Sequence, residues 1–200
     1  ITVSGLLDPV RLEEARMAQV SGGVVPQPPS AAEGFVYVAL QELATRISHR
    51  NTGVLLRDDF DDVAGYEVLR RVAADENHHH LFYRDLVTAA LEADPSGTMV
   101  AIESMVSSFA MPGVGIVDFD FHADEIARAG IYDFEVHHDA ILEPVVLRHW
   151  GIEEITGLSD EAERARERTV RRIAVTKRAG ARMRAKFDEE AEAERVAVAG

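Results

Sequence analysis

The stretch Leu69-Arg70-Arg71-Val72-Ala73-Ala74-Asp75-Glu76-Asn77-His78-His79-His80-Leu81-Phe82-Tyr83 decides how this chain is read. Leu69, Val72, Ala73, Glu76, His79, Tyr83, Leu86 and Ala90 recur at helical spacing and share one face. A carboxylate therefore stands in the middle of a face that should pack inward. The same conflict occurs upstream, where Phe35, Val38, Glu42, Thr45 and His49 follow one another at steps of three and four. A buried, isolated carboxylate is costly, so each glutamate must be protonated, ion-paired or bound to a metal.

Glu76 and His79 lie three residues apart, about 60° around the helix and one turn along it, so both can reach one ion. Glu-x-x-His with a lone Glu on a neighbouring helix is the half-site of di-iron and di-manganese carboxylate bundles. Oxygen-rich ligation with one imidazole per metal suits iron or manganese. Spacing leaves two matters open. His80 is also cofacial with Glu76, and Glu135-Val136-His137-His138 is a second Glu-x-x-His that, with Glu103, would complete a full set of ligands within the chain.

Outward from this stretch the pattern is all-α, with almost no alternation typical of strands. A first helix is expected from Asp8, with Pro9 at its first position, to about Val20 before Gly22-Gly23. Ser30 and Glu33 form a capping box that opens a second helix running to about Asn51 before Gly53. The third is expected from Asp58/Asp59 to Glu92, and a fourth from Asp94-Pro95 to about Ala110. A loop over Met111 to Val117, a helix near Phe121 to Ala129 and one over Phe134 to Trp150, kinked at Pro144, follow. The final helix begins near Ser159.

Composition narrows the function. The absence of cysteine removes disulfides, thiolate metal sites and cysteine nucleophiles, and fits a cytoplasmic setting. A net charge of −14 argues against a general nucleic-acid binder. No unbroken apolar run reaches the roughly 20 residues of a membrane span, and no secretory leader opens the chain, which begins with Ile1 and so reads as a fragment or processed product. Between Arg164 and Lys186 ten basic residues face one acid, Glu167, a candidate landing surface for an acidic partner.

Gln41-Glu42-Leu43-Ala44-Thr45-Arg46-Ile47-Ser48-His49-Arg50-Asn51-Thr52, followed by Ala74-Asp75-Glu76-Asn77-His78-His79, resembles the soluble acyl-carrier-protein desaturases of plants and actinobacteria. The resemblance extends from Val3-Ser4-Gly5 through Gly34-Phe35-Val36-Tyr37 and Gly130-Ile131-Tyr132 to Arg148-His149-Trp150 and Thr156-Gly157-Leu158-Ser159. It implies a ferritin-like di-iron helical bundle with peripheral helices, residues 1–160 holding the C-terminal two-thirds of the domain and 161–200 a charged C-terminal helix. The implied activity inserts a cis double bond into a carrier-bound acyl chain, using oxygen and two electrons from a ferredoxin-type donor. The implied assembly is a homodimer.

Carried over by resemblance, Glu42 is a terminal iron ligand, Glu76 a bridging carboxylate and His79 the imidazole on the iron that Glu42 binds, with manganese a possible substitute. Thr45 lies beside the oxygen pocket, Asp75 orients a ligand of the other half-site, and Gly34 and Phe35 border the acyl channel. Arg171, Arg172 and Lys177 are expected to dock the acidic carrier. The family's other Glu and Glu-x-x-His lie upstream of Ile1. Two further readings stand beside this one: a ferritin-like iron-binding or structural subunit, including an inactive half-site, and a helical interaction domain without metal.

Overall fold

The structure is a computed structural model that describes residues 8–22, 27–111 and 118–199. The described residues form helices and no strands: α1 (Pro9–Gly22), α2 (Ala31–Phe60), α3 (Val63–Ala93), α4 (Pro95–Ser108), α5 (Phe119–Arg128), α6 (Phe134–His137), a π-helical segment (His138–His149) and α7 (Asp160–Ala199). The chain divides into two compact units, residues 1–27 with 110–125, and residues 28–109 with 126–200. In the first, Asp8 caps α1 by accepting the Val10 N–H at 2.9 Å. Most of the expected Met111 to Val117 loop, like Val3-Ser4-Gly5, lies outside the described residues.

The second unit holds Glu42, Glu76 and His79. Ser30 caps α2 through the Glu33 N–H. The helix does not stop before Gly53 but continues to Phe60. Gly53 is buried, and a Cβ there would stand 3.3 Å from that of Leu69, so the glycine permits close approach of α3 rather than ending α2. The true stop is Asp61, in the left-handed conformation at φ 52°, where the Asp62 N–H reaches back to the Leu56 carbonyl. Asp62 then caps α3, which therefore starts later than the Asp58/Asp59 expected. The two long helices form an antiparallel hairpin and pack along their length.

Val36, Leu40, Met99, Ile102, Ile141, Leu142, Val146, Ile152 and Ile173 are fully buried. The buried arc of α2 is Val36, Ala39, Leu40, Leu43 and Ala44, because α4 packs against it. The stripe carrying Glu42 lies beside that arc, about 100° around from Leu43, and is half-buried in this unit. On the outer side, α7 packs on α4 and α6. It places Gly180 against the α6 backbone and directs Arg184 onto Asp133 and Glu135. Its start is tied to α4 where the Ser159 N–H donates to the Ser96 hydroxyl.

One helix has a different register from the expected one. Only Phe134–His137 is α-helical, and His138–His149 winds as a π-helix around Pro144. Proline lacks an N–H, and in an α-helix its ring meets the carbonyl four residues earlier. The wider i→i−5 register, seen where the Trp150 N–H reaches the Val145 carbonyl at 2.9 Å, relieves that conflict.

Candidate metal centre

α2 and α3 bring Glu42, Glu76 and His79 together, with one donor atom from each residue lying within 4.8 Å of the others. His79 Nδ1 is 3.3 Å from Glu42 Oε2 and 3.4 Å from Glu76 Oε2. Because the three-residue spacing sets Glu76 and His79 on one face, the hairpin has only to present Glu42 opposite them. The side chains of Glu42 and Glu76 are 17% and 20% exposed, whereas that of His79 is 59% exposed. The cluster thus sits at a face of the hairpin, with its carboxylates recessed.

Burial pushes the Glu42 carboxyl up to about 7, reinforced by the hydrogen bond and charge of Glu76 and opposed by His79. His79 is raised by its contacts with Glu42 and then Glu76. Two recessed carboxylates held against one imidazole leave negative charge that a cation would neutralise. The donor set of two carboxylates and one nitrogen fits iron or manganese, and supplies about half the ligands of a two-metal carboxylate centre.

The structure separates the two cofacial histidines. His80 is buried, its Nδ1 lies 2.8 Å from the Ala39 carbonyl, and burial lowers its pKa. His79 alone of the two faces the glutamates. His49 also reaches the cluster, its Nε2 3.7 Å from Glu76 Oε1. Its place on the Glu42 stripe was visible, but the contact depends on α3 and was not foreseen.

The alternative ligand series does not assemble. Glu103 is paired with Arg168 on α7, and Glu135 with Arg184. His138 instead groups with Asp139 and Glu143 on the π-helical segment, where Arg148 already holds Glu143.

The Thr45 hydroxyl, one turn from Glu42, donates back to the Gln41 and Glu42 carbonyls at 3.2 and 3.0 Å. Asp75 is exposed and has no hydrogen bond or ion pair among the described residues. Gly34 faces open space, with nothing within 4 Å of where a Cβ would stand, and the Phe35 ring lies 6.3 Å from that of Tyr83. Arg171, Arg172 and Lys177 are exposed on α7, away from the ion pairs its other arginines make.

Known proteins are similar to this chain over most of its length. A protein assigned as the acyl-carrier-protein desaturase DesA1 of Mycobacterium tuberculosis is 36% identical over 175 residues, 84% of this chain and 50% of the relative. The chloroplastic stearoyl-acyl-carrier-protein 9-desaturase of Gossypium hirsutum is 32% identical over 173 residues, 82% of this chain and 43% of its own length. That of Ricinus communis is 31% identical over the same shares. The chain spans about half the length of the curated relatives it matches. With the family model described as fatty acid desaturase matching residues 1–198, on an all-α bundle whose two long helices carry Glu42 and Glu76-x-x-His79, this chain belongs to the fatty acid desaturase family.

Proposed function

We propose that the full protein is an acyl-carrier-protein desaturase and that Glu42, Glu76 and His79 are this chain's ligands to a pair of iron ions, with manganese able to substitute. The observation that carries the reading is the convergence of two recessed carboxylates and one imidazole from α2 and α3, in a chain whose relatives bear the desaturase name. When bound, the iron pair supplies the reduction of oxygen that drives removal of two hydrogens from the acyl chain.

The chain's own residues prepare that reaction. Glu42 and Glu76 neutralise the ions, and His79 presents Nδ1 as a neutral ligand once its shared proton is displaced. Thr45 can turn its hydroxyl from the backbone carbonyls to donate to an oxygen group one turn from Glu42, the kind of aimed donor that stabilises developing charge. The open space at Gly34 admits the acyl chain, and Phe35 against Tyr83 forms a wall that keeps water out. Asp75, exposed here, would orient the histidine of the upstream half-site. The acyl carrier protein, a ferredoxin-type donor, a homodimeric assembly and a cytoplasmic location belong to the same proposal, as does the division into a desaturase domain over residues 1–160 and a charged helix over 161–200. No helix among the described residues is long and apolar enough to cross a membrane.

The test is iron per chain in the full-length protein and in Glu76→Gln, with oxygen uptake followed with and without acyl-carrier substrate. Close to two irons in the parent, loss of iron from the folded variant and substrate-dependent oxygen uptake are expected. Iron uptake with no response to the acyl carrier would mean a storage or structural protein, and full iron in Glu76→Gln would remove that residue from the ligand set.

A further inference from the structure

Helix α7 carries its charge in two blocks of opposite sign. Between Arg164 and Lys186 ten basic residues stand against one acid, and Asp188, Glu189, Glu190, Glu192 and Glu194 then follow within seven positions. Ala165, Thr169, Ile173 and Phe187 are buried on the side that packs into the unit. On the opposite side Val175, Arg178, Arg182, Glu189, Ala193 and Val196 recur at steps of three, four or seven, and all are exposed. Arg178, Arg182 and Lys186 are like charges one turn apart, an arrangement that destabilises a helix unless something opposes it. Lys186 reaches Glu190 at 3.6 Å. Arg178, Arg182 and Glu189 make no hydrogen bond or ion pair among the described residues. Arg182 and Glu189 share a face but stand seven residues apart, about 10 Å along the axis, so they do not meet within one helix.

The stripe is its own complement when reversed. A second α7 running the opposite way, with a twofold axis between Ala185 and Lys186, sets Arg182 of each copy opposite Glu189 of the other. The same register sets Val175 opposite Val196 and Arg178 opposite Ala193, beside Glu192. Val175 and Val196 are 42% and 64% exposed, so apolar surface is covered at both ends of the overlap. That overlap runs about 32 Å. A parallel pair would instead set Arg182 on Arg182 and Glu189 on Glu189. An acidic protein of another kind would match the basic block and leave the acidic block facing like charge. Each copy carries a net charge of −14, but a screening length of about 8 Å at physiological salt damps that long-range repulsion more than it weakens ion pairs in contact.

We infer that the outer face of α7 is a self-association surface, on which a second copy of this chain packs antiparallel through Arg182–Glu189 ion pairs and Val175–Val196 contacts. The pairing needs neither iron nor acyl substrate and stands apart from the desaturase reading. Lys177, about 140° around the helix from Arg182, stays uncovered.

Cross-linking of the full-length protein at physiological salt tests the pairing, with each disulfide identified by mass spectrometry of its peptides; α7 itself brings no cysteine. Ala185→Cys, beside the axis, should join two copies at least about tenfold faster than Lys177→Cys, since a disulfide needs Cβ atoms about 4 Å apart. A mixture of Val175→Cys with Val196→Cys should give chiefly the 175–196 bond. In the Ala185→Cys background, Arg182→Glu or Glu189→Arg should slow joining at least about tenfold, and the exchange Arg182→Glu/Glu189→Arg should restore it. Equal rates at 185 and 177, a 175–175 bond that outruns 175–196, or an exchange that fails to restore joining would each overturn the pairing. So would an acidic acyl carrier that binds the stripe while the copies stay unjoined, which would give the face to that partner. Sedimentation and iron content on the same preparations separate the levels: a dimer without these bonds sinks the α7 surface alone, while a parent without iron sinks the desaturase reading and leaves the pairing standing.

Discussion

Glu42 holds its proton up to about pH 7 because it is recessed beside Glu76, and this sets how the site should respond to pH. An incoming ion must displace that proton and the one shared with His79. Manganese affinity of the full-length protein should therefore fall as pH drops below 7, approaching about tenfold per pH unit or more. Calorimetric titrations between pH 5.5 and 8 check this, and a flat profile would exclude Glu42 as a ligand. A second residue-scale effect lies away from the metal. His137, buried, stacked on Phe109 at 4.8 Å and 2.7 Å by Nδ1 from the Tyr132 hydroxyl, is pushed down to about 4, first by burial and then by His138. Its unfolded counterpart titrates near 6.5, so between these values the unfolded chain binds more protons and stability is lost as pH falls. The loss is about 3 kcal/mol by pH 4. Urea melts of parent and His137→Gln should show a flatter acid limb in the variant, and parallel limbs would refute it.

Among the elements, α7 is held by a close approach that composition does not reveal. A Cβ at Gly180 would stand 2.6 Å from the Glu135 nitrogen and 2.8 Å from its Cα, both backbone atoms that cannot swing aside. Gly180→Ala should therefore destabilise by about 1–3 kcal/mol despite the roughly 1 kcal/mol that alanine adds to helix propensity. At Gly34 the same change meets open space, so it should stabilise the fold by up to about 1 kcal/mol. Thermal melts of the two variants should move in opposite directions, and a shared direction would contradict the packing described. The same contrast explains Gly53. A glycine inside a helical pattern reads as a stop, yet here α2 runs through it because α3 presses against that side. Pro144 shows the converse, a true conflict with the α register that was legible in the sequence and is met by widening into a π-helix.

For the molecule as a whole, basic charge is unevenly distributed along an acidic chain. The chain is strongly acidic, yet Arg171, Arg172 and Lys177 stand exposed on α7, while Arg166, Arg168 and Arg184 tie the helix to the Ile155 carbonyl, Glu103 and Asp133. Reversing Arg171, Arg172 and Lys177 to Glu should weaken acyl-carrier binding about tenfold or more at low salt and much less at high salt. Unchanged binding by fluorescence anisotropy would remove α7 as the carrier's dock. The sequence by itself determined the all-α character, the order of the helices, the Ser30 and Asp94 caps and the placing of Glu76 and His79 on one face, because caps and three-residue spacings act within a turn or two of one helix. Tertiary structure decided what depends on a neighbour's position. It set His79 rather than His80 against Glu42, since α2 lies over one side of α3 and buries the other histidine against the Ala39 carbonyl. It also paired Glu103 and Glu135 with α7 arginines far along the chain, and gathered four arginines from two helices into one groove. Periodicity names the faces of a helix, but only the packing of other helices determines which face is covered and what stands opposite it.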